Sequence, residues 1–194
     1  MSRVLVAITG ASGAIYGVRL VQRLVEHDVP TDVVCSKAGA RVLELEHGLP
    51  GNPLEWFPEG APENLAVHAN EDIAAPPASG SHAPRAMIVI PCSMGTLGRI
   101  ACGISANLIE RCADVMLKER QRLVVVPRES PLSQIHLRNM LTLSESGAHI
   151  VPAMPAFYAR PRDLEDTISF VVDRAISSAG LDIPLRAVWR EDAP

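Results

Sequence analysis

The sequence predicts an α/β protein built on a parallel sheet covered by helices on both faces. Three observations carry this. Short apolar runs rich in β-branched residues recur along the chain, each is followed by a helical pattern, and two of the strand-to-helix turns are rich in glycine and hydroxyl residues. The chain has 194 residues, enough for one domain with a proper core. Hydrophobic residues make up 47% and charged residues 21%, both ordinary for a globular protein.

The strands are expected at residues 4–9, 32–36, 86–91, 123–127 and 149–152. Between them, residues 14–27 place Val18, Val21 and Val25 on one helical face, and residues 105–119 do the same with Leu108, Cys112 and Val115. Pro131 suits a first helical position and Gly147 the end of that helix. Asp163 is placed to cap a last helix carrying Ile168, Val172 and Ala175, closed by Gly180. Residues 48–84 break the rhythm and hold seven of the sixteen prolines. Because the alternation resumes at once, they read as an irregular excursion within a single domain spanning 1–194. Residues 76–81, PPASGS, read as a loop near the working face and not as a helix. Residues 185–194 read as a tail that holds Trp189.

The formal net charge of −4 supplies no basic face for nucleic acid. No apolar run reaches the roughly eighteen residues a membrane span needs, and the first apolar run is too short for a signal peptide and ends in a glycine-rich turn. Cys35, Cys92, Cys102 and Cys112 form no CxxC pair and read as buried reduced thiols, which suits the cytoplasm. The six histidines are scattered, so no metal site is expected. HExxH, GxSxG and Walker patterns are absent.

The first candidate site is TGASGAIYG, residues 9–17. Glycines let backbone approach a phosphate, and the following helix N-terminus supplies N–H donors. Its spacing is not GxGxxG, and Ser36 stands where a dinucleotide fold carries an acid for the adenosine ribose. Both departures weigh against NAD(P) and suit a mononucleotide met by Ser12 and Ser36; a bare tight turn is the alternative. The second candidate, PCSMGTL at 91–97, puts hydroxyls and a glycine at another strand end, again either a ligand loop or a polar turn. Arg111 and Lys118, two turns apart, share a helix face that, taken alone, reads more often as a solvated surface. Arg128 and Glu129 end a buried strand, on the functional edge. Tyr158 and Arg174 together suit a phosphate, though each alone reads as structural. Glu46, in the helix after the second strand, has nothing in its spacing to single it out.

In this order and spacing, TGASGAIYG, SKA (36–38), PPASGS, PCSMGTL, NLIERCADVMLKER (107–120), PRESP (127–131) and PAFY (155–158), with a late Arg and Trp, resemble the flavin prenyltransferase family. The resemblance runs from Thr9 to Trp189 and is weakest over 48–70. It implies a three-layer αβα, flavodoxin-like (Rossmann-like) domain and a homo-oligomer, often a dodecamer, with sites where subunits meet. It implies reduced FMN as substrate, held by Gly10, Ala11, Ser12, Ser36, Ser93, Met94, Gly95, Thr96 and Arg128. Dimethylallyl phosphate would be held by Lys118, Tyr158 and Arg174 with Arg111 nearby. Ser12 and Glu46 match residues that handle the allyl intermediate and its protons, and Glu129 matches the residue beside the leaving phosphate. Lys118, Ser12, Glu46 and Glu129 are thus the expected catalytic set. The prenyl group joins flavin N5 and then C6, without a metal, giving prenylated FMN for a UbiD-type decarboxylase. Some relatives place a tryptophan just before PPASGS; this chain has Ile73 in that stretch, leaving Tyr158 and Trp189 as the aromatic candidates for sheltering a carbocation. A flavin-dependent cysteine-type decarboxylase and a non-catalytic FMN carrier are the alternatives.

Overall fold

The computed structural model describes residues 3–186. Six parallel strands form one sheet in the order β3-β2-β1-β4-β5-β6. In chain order the elements are β1 (Val4–Ile8), α1 (Ile15–Glu26), β2 (Thr31–Cys35), α2 (Lys37–His47), β3 (Leu65–His68), β4 (Ala86–Cys92), α3 (Met94–Ala101), α4 (Leu108–Lys118), β5 (Arg122–Pro127), α5 (Gln134–Glu145), β6 (His149–Ile150) and α6 (Leu164–Ser178).

Alternation along the strands sorts the core into two layers. Val4, Val6 and Ile8 point to one face, where α1 and α6 bring Val18, Val21, Val172 and Ile176. Leu5 and Ala7 point to the other, with Leu97 of α3, Ile109, Cys112 and Met116 of α4, and Leu143 of α5. The three-layer arrangement expected from the sequence is therefore present, and α4 and α6 lie on opposite faces of the sheet. On the α1/α6 face, Arg23 and Asp173 form a buried ion pair of 3.3 Å.

Several expectations are corrected. The excursion at 48–84 contains β3, which the sequence reading missed. An edge strand of four residues buries only Leu65 fully, so it leaves no apolar run to detect. α3 was also missed. It begins inside the second candidate loop, where Ser93 caps it by accepting the Thr96 N–H. Pro131 precedes the first turn of α5; Ser133 is the cap, in a reciprocal bond with His136. Residues 76–81 are not irregular: they form 3-10 turns at Pro76–Ala78 and Gly80–His82. They pack on α4. A side chain at Gly80 would meet Glu119, with the Lys118 ammonium close by. Of the four thiols, Cys92 and Cys112 are buried, Cys35 is half-buried and Cys102 is exposed. Asp163 caps α6 as expected. Trp189 lies outside the described residues.

Candidate active site

Strand order reverses between β1 and β4, because the chain winds outward from β1 through β2 to β3 and then returns to start β4 on the other side. Loops leaving the carboxyl ends of those two strands splay apart there, which makes a crevice. A cleft of about 280 Å³ lies at this point. Thr9 and Gly10 line it from β1, Ser36, Lys37 and Ala38 from β2, Asn70 and Glu71 from β3, and Ser93, Thr96 and Arg99 from β4 and α3.

Thr9 ties the two sides together. Its hydroxyl donates to the Pro91 carbonyl at 2.9 Å and accepts the Ser93 N–H at 2.8 Å, while the residue itself is buried. Ser36 and Ser93 are helix caps, accepting from Gly39 N–H at 3.0 Å and Thr96 N–H at 3.3 Å. The Ser36 hydroxyl proton remains for an anion in the cleft. Gly10 permits the close approach of loop and α2, since a Cβ there would sit 2.5 Å from the Ala38 Cβ. Gly13 turns the chain into α1 at φ +87°.

A second cluster lies along the same loop. The Gly13 N–H donates to Glu46 at 2.9 Å, and Arg128 Nε donates to the Ser12 carbonyl at 3.1 Å. Glu46 sits 3.7 Å from His47. Burial raises the Glu46 pKa, but bonds from the Ser12 hydroxyl and Gly13 N–H, with the charges of His47 and Arg128, outweigh it and hold the carboxyl below its ordinary value. Tyr16 stands beside Gly13. Burial raises its phenol against the opposing pull of Arg128, so it remains a hydrogen-bond donor at neutral pH.

One chain thus gathers Gly10, Ala11, Ser12, Ser36, Ser93 and Arg128 on the loops at the carboxyl edge, Met94, Gly95 and Thr96 on the first turn of α3 and Glu46 from α2, with Glu129 exposed beside them and its carboxylate accepting the Ser130 N–H at 2.9 Å. It does not gather the expected phosphate-binding cations there. Lys118 ends α4, which runs down from the carboxyl edge toward the start of β5, and it pairs with Glu119 at 2.9 Å. Arg111 faces outward on the same helix, 3.6 Å from Asp114. Arg174 is exposed on α6, across the sheet. Tyr158 lies after β6, its ring 5.9 Å edge-on from Phe170. Ile73 is exposed.

The sequence reading missed Thr9, Tyr16, Lys37, Asn70, Glu71 and Arg99. Thr9 and Tyr16 sat inside a motif read mainly for its glycines and Ser12, and Lys37 inside the SKA motif read for Ser36; Arg99 belongs to the missed α3, and Asn70 and Glu71 follow the missed β3. Among the described residues, no group of three His, Cys, Asp or Glu side chains is placed to hold a metal ion, and no helix is long and apolar enough to cross a membrane.

The family model described as Flavoprotein matches residues 1–176. The chain is 49% identical over 192 residues to a protein of Halalkalibacterium halodurans called flavin prenyltransferase UbiX, covering 96% of this chain and 93% of that one. A crystal structure described as AnUbiX in complex with FMN and dimethylallyl pyrophosphate is 41% identical, with a TM-score of 0.85 and coverage of 97% and 99%. Another, a dodecameric FMN-dependent Ubix-like decarboxylase from Escherichia coli, is 43% identical with a TM-score of 0.87, covering 97% and 98%.

Proposed function

The chain belongs to the flavoprotein family and, within it, to the flavin prenyltransferases, and from that premise we propose that it joins the dimethylallyl group of dimethylallyl phosphate to reduced FMN, at N5 and then at C6. It is an enzyme that uses FMN as substrate and releases prenylated FMN. The observation that carries this reading is the cleft at the strand-order reversal. Its hydroxyls and helix N-termini suit an anionic mononucleotide, and Glu46 of α2 and Arg128 after β5 both bond to the adjoining loop.

In the first step the allylic C–O bond breaks and the N5–C bond forms, so negative charge grows on the leaving phosphate while N5 loses a proton. In the second the prenyl alkene takes a proton and C6 loses one. Glu46, held as a carboxylate at neutral pH, is suited to accept and return these protons, and Ser12 to orient them. Glu129, exposed beside the cleft, is suited to pass on to the leaving phosphate the proton released at N5. Lys118, Arg111 and Arg174 neutralise that phosphate, and the Tyr158 hydroxyl donates a hydrogen bond to it.

Those four groups lie on two faces of the sheet and away from the cleft of their own chain. We assign the complete site to a homo-oligomer, in which a second copy brings its cations to the flavin. Exposed apolar side chains at Met154, Phe157 and Leu164, and at Ile135, Leu137 and Leu141 on α5, suit such packing. A dodecamer, as described for the Escherichia coli relative, meets this requirement. The product would pass to a UbiD-type decarboxylase, and the chain would work in the cytoplasm.

A cysteine-type decarboxylase needs a reactive thiol at the flavin. Burial pushes the Cys92 and Cys112 thiols up to about 12 and Cys35 up to about 11, so none of these is a thiolate at neutral pH. The test is anaerobic incubation of the protein with reduced FMN and dimethylallyl phosphate, then mass spectrometry of the released flavin. A gain of one five-carbon prenyl unit is expected. Unchanged FMN with both the monophosphate and the diphosphate donor overturns the reading.

A further inference from the structure

We propose that Arg99, set in place by the buried carboxylate of Glu110, binds the phosphate of the flavin mononucleotide, an inference that rests on the flavin reading above. Glu110 is 0% exposed, on the buried side of α4. A carboxylate without water must be paired. It accepts the Ala106 N–H at 2.9 Å and a close bond from Arg99 Nε. Arg99 is not itself buried. Its side chain is 45% exposed and lines the cleft beside Ser36, Ser93 and Thr96. Glu110 therefore spends its charge holding one edge of a guanidinium whose other edge faces the cleft.

The remaining donors point to an anion. Arg99 Nη2 donates to the Thr96 hydroxyl at 3.2 Å, and the Ser93 hydroxyl donates to the same oxygen at 3.1 Å. Thr96 Oγ1 already accepts twice, so its own proton is directed outward. Both Arg99 Nη1 protons have no acceptor among the described residues. Gly95 keeps the space over them open: a Cβ there would lie 3.4 Å from Nη1. A phosphate at this point meets the guanidinium, the Thr96 and Ser36 hydroxyls and the first turn of α3 together. Arg99 is the binding residue, and Glu110 the positioning residue that acts through it.

The test compares oxidised FMN with riboflavin, which lacks the phosphate, by fluorescence titration of the purified protein. Removing Arg99 alone would leave Glu110 buried and unpaired, so the informative variant is Arg99→Ala with Glu110→Gln. Its preference for FMN over riboflavin is expected to fall roughly 10-fold or more, the scale of a charge-assisted phosphate contact, with riboflavin affinity kept. Arg99→Lys should keep part of the preference, and Glu110→Gln alone should lower it. An unchanged FMN/riboflavin ratio in the double variant overturns the proposal. So does equal loss for both flavins, or a loss confined to the KM for dimethylallyl phosphate. A wild-type protein that prefers FMN but makes no prenylated flavin overturns the enzyme reading alone.

Discussion

The cleft proposed for flavin and the groups proposed for the prenyl phosphate are built on different terms. The residues that line the cleft come from the loops of one chain: Thr9 stitches the loops after β1 and β4, Ser36 and Ser93 cap the helices that border it, and Glu46 bonds the first loop from α2. The phosphate-binding groups are dispersed, with Lys118 and Arg111 on α4, Arg174 on α6 across the sheet, and the Tyr158 hydroxyl in the segment between β6 and α6. A ligand site confined to one edge of a parallel sheet follows from the winding of a single chain. A site that needs groups from both faces does not, and a second copy is the direct way to supply them.

The largest effect that tests this contrast is loss of one cation. Lys118→Ala or Arg174→Ala should lower turnover by about 10²–10³-fold or more while FMN affinity holds, the scale of removing one preorganised donor to a developing anion. Product mass spectrometry and flavin titration read the two quantities separately; a parallel fall in FMN affinity would erase the distinction between the regions. Next, the two inactive variants, mixed and reassembled, should recover up to about one quarter of wild-type activity if each site draws Lys118 and Arg174 from different copies. No recovery would return both groups to a single chain.

Glu46→Gln should keep FMN bound and stall turnover before ring closure, seen as an N5-linked product that lacks the C6 bond. The same variant tests a pH dependence. Glu46 is held below its ordinary value, so its stabilisation of the first loop is full above that ordinary value and is lost as pH falls through the lower folded-state value. The acid limb of FMN binding should therefore flatten in Glu46→Gln.

Smaller effects probe the cleft alone. Thr9→Val strands the Ser93 N–H and leaves the Pro91 carbonyl only the Thr9 N–H, and should cost about 1–3 kcal/mol in denaturant unfolding. Ser36→Ala removes a cap and should cost about 1 kcal/mol, with a modest loss of FMN affinity. A Ser36→Ala protein of unchanged stability and affinity would separate the cap from the ligand site.

Much of this was legible in the sequence for a plain reason. Interior parallel strands are buried on both faces, so β1, β4 and β5 read as unbroken apolar runs. Glycine and serine gathered at strand ends mark tight turns and helix caps at the edge where a parallel sheet holds its ligands. The edge strand β3 escaped because half of it faces solvent, and α3 escaped because its cap lay inside a motif already read as a loop. Glu46 shows the limit more sharply. Its place in α2 was legible and its role was implied by family resemblance, yet nothing in its neighbours along the chain points to Gly13.

By itself the sequence determined the alternation of strand and helix, the composition of the strand-end loops and the family pattern. Each of these depends on residues near one another in the chain. The tertiary structure decided the strand order, and with it where the cleft opens. It also decided the bonds of Glu46 to the first loop, the hold of Glu110 on Arg99, and the division of the cations between two faces. These depend on which distant segments the sheet brings together, and no local pattern of residues encodes that.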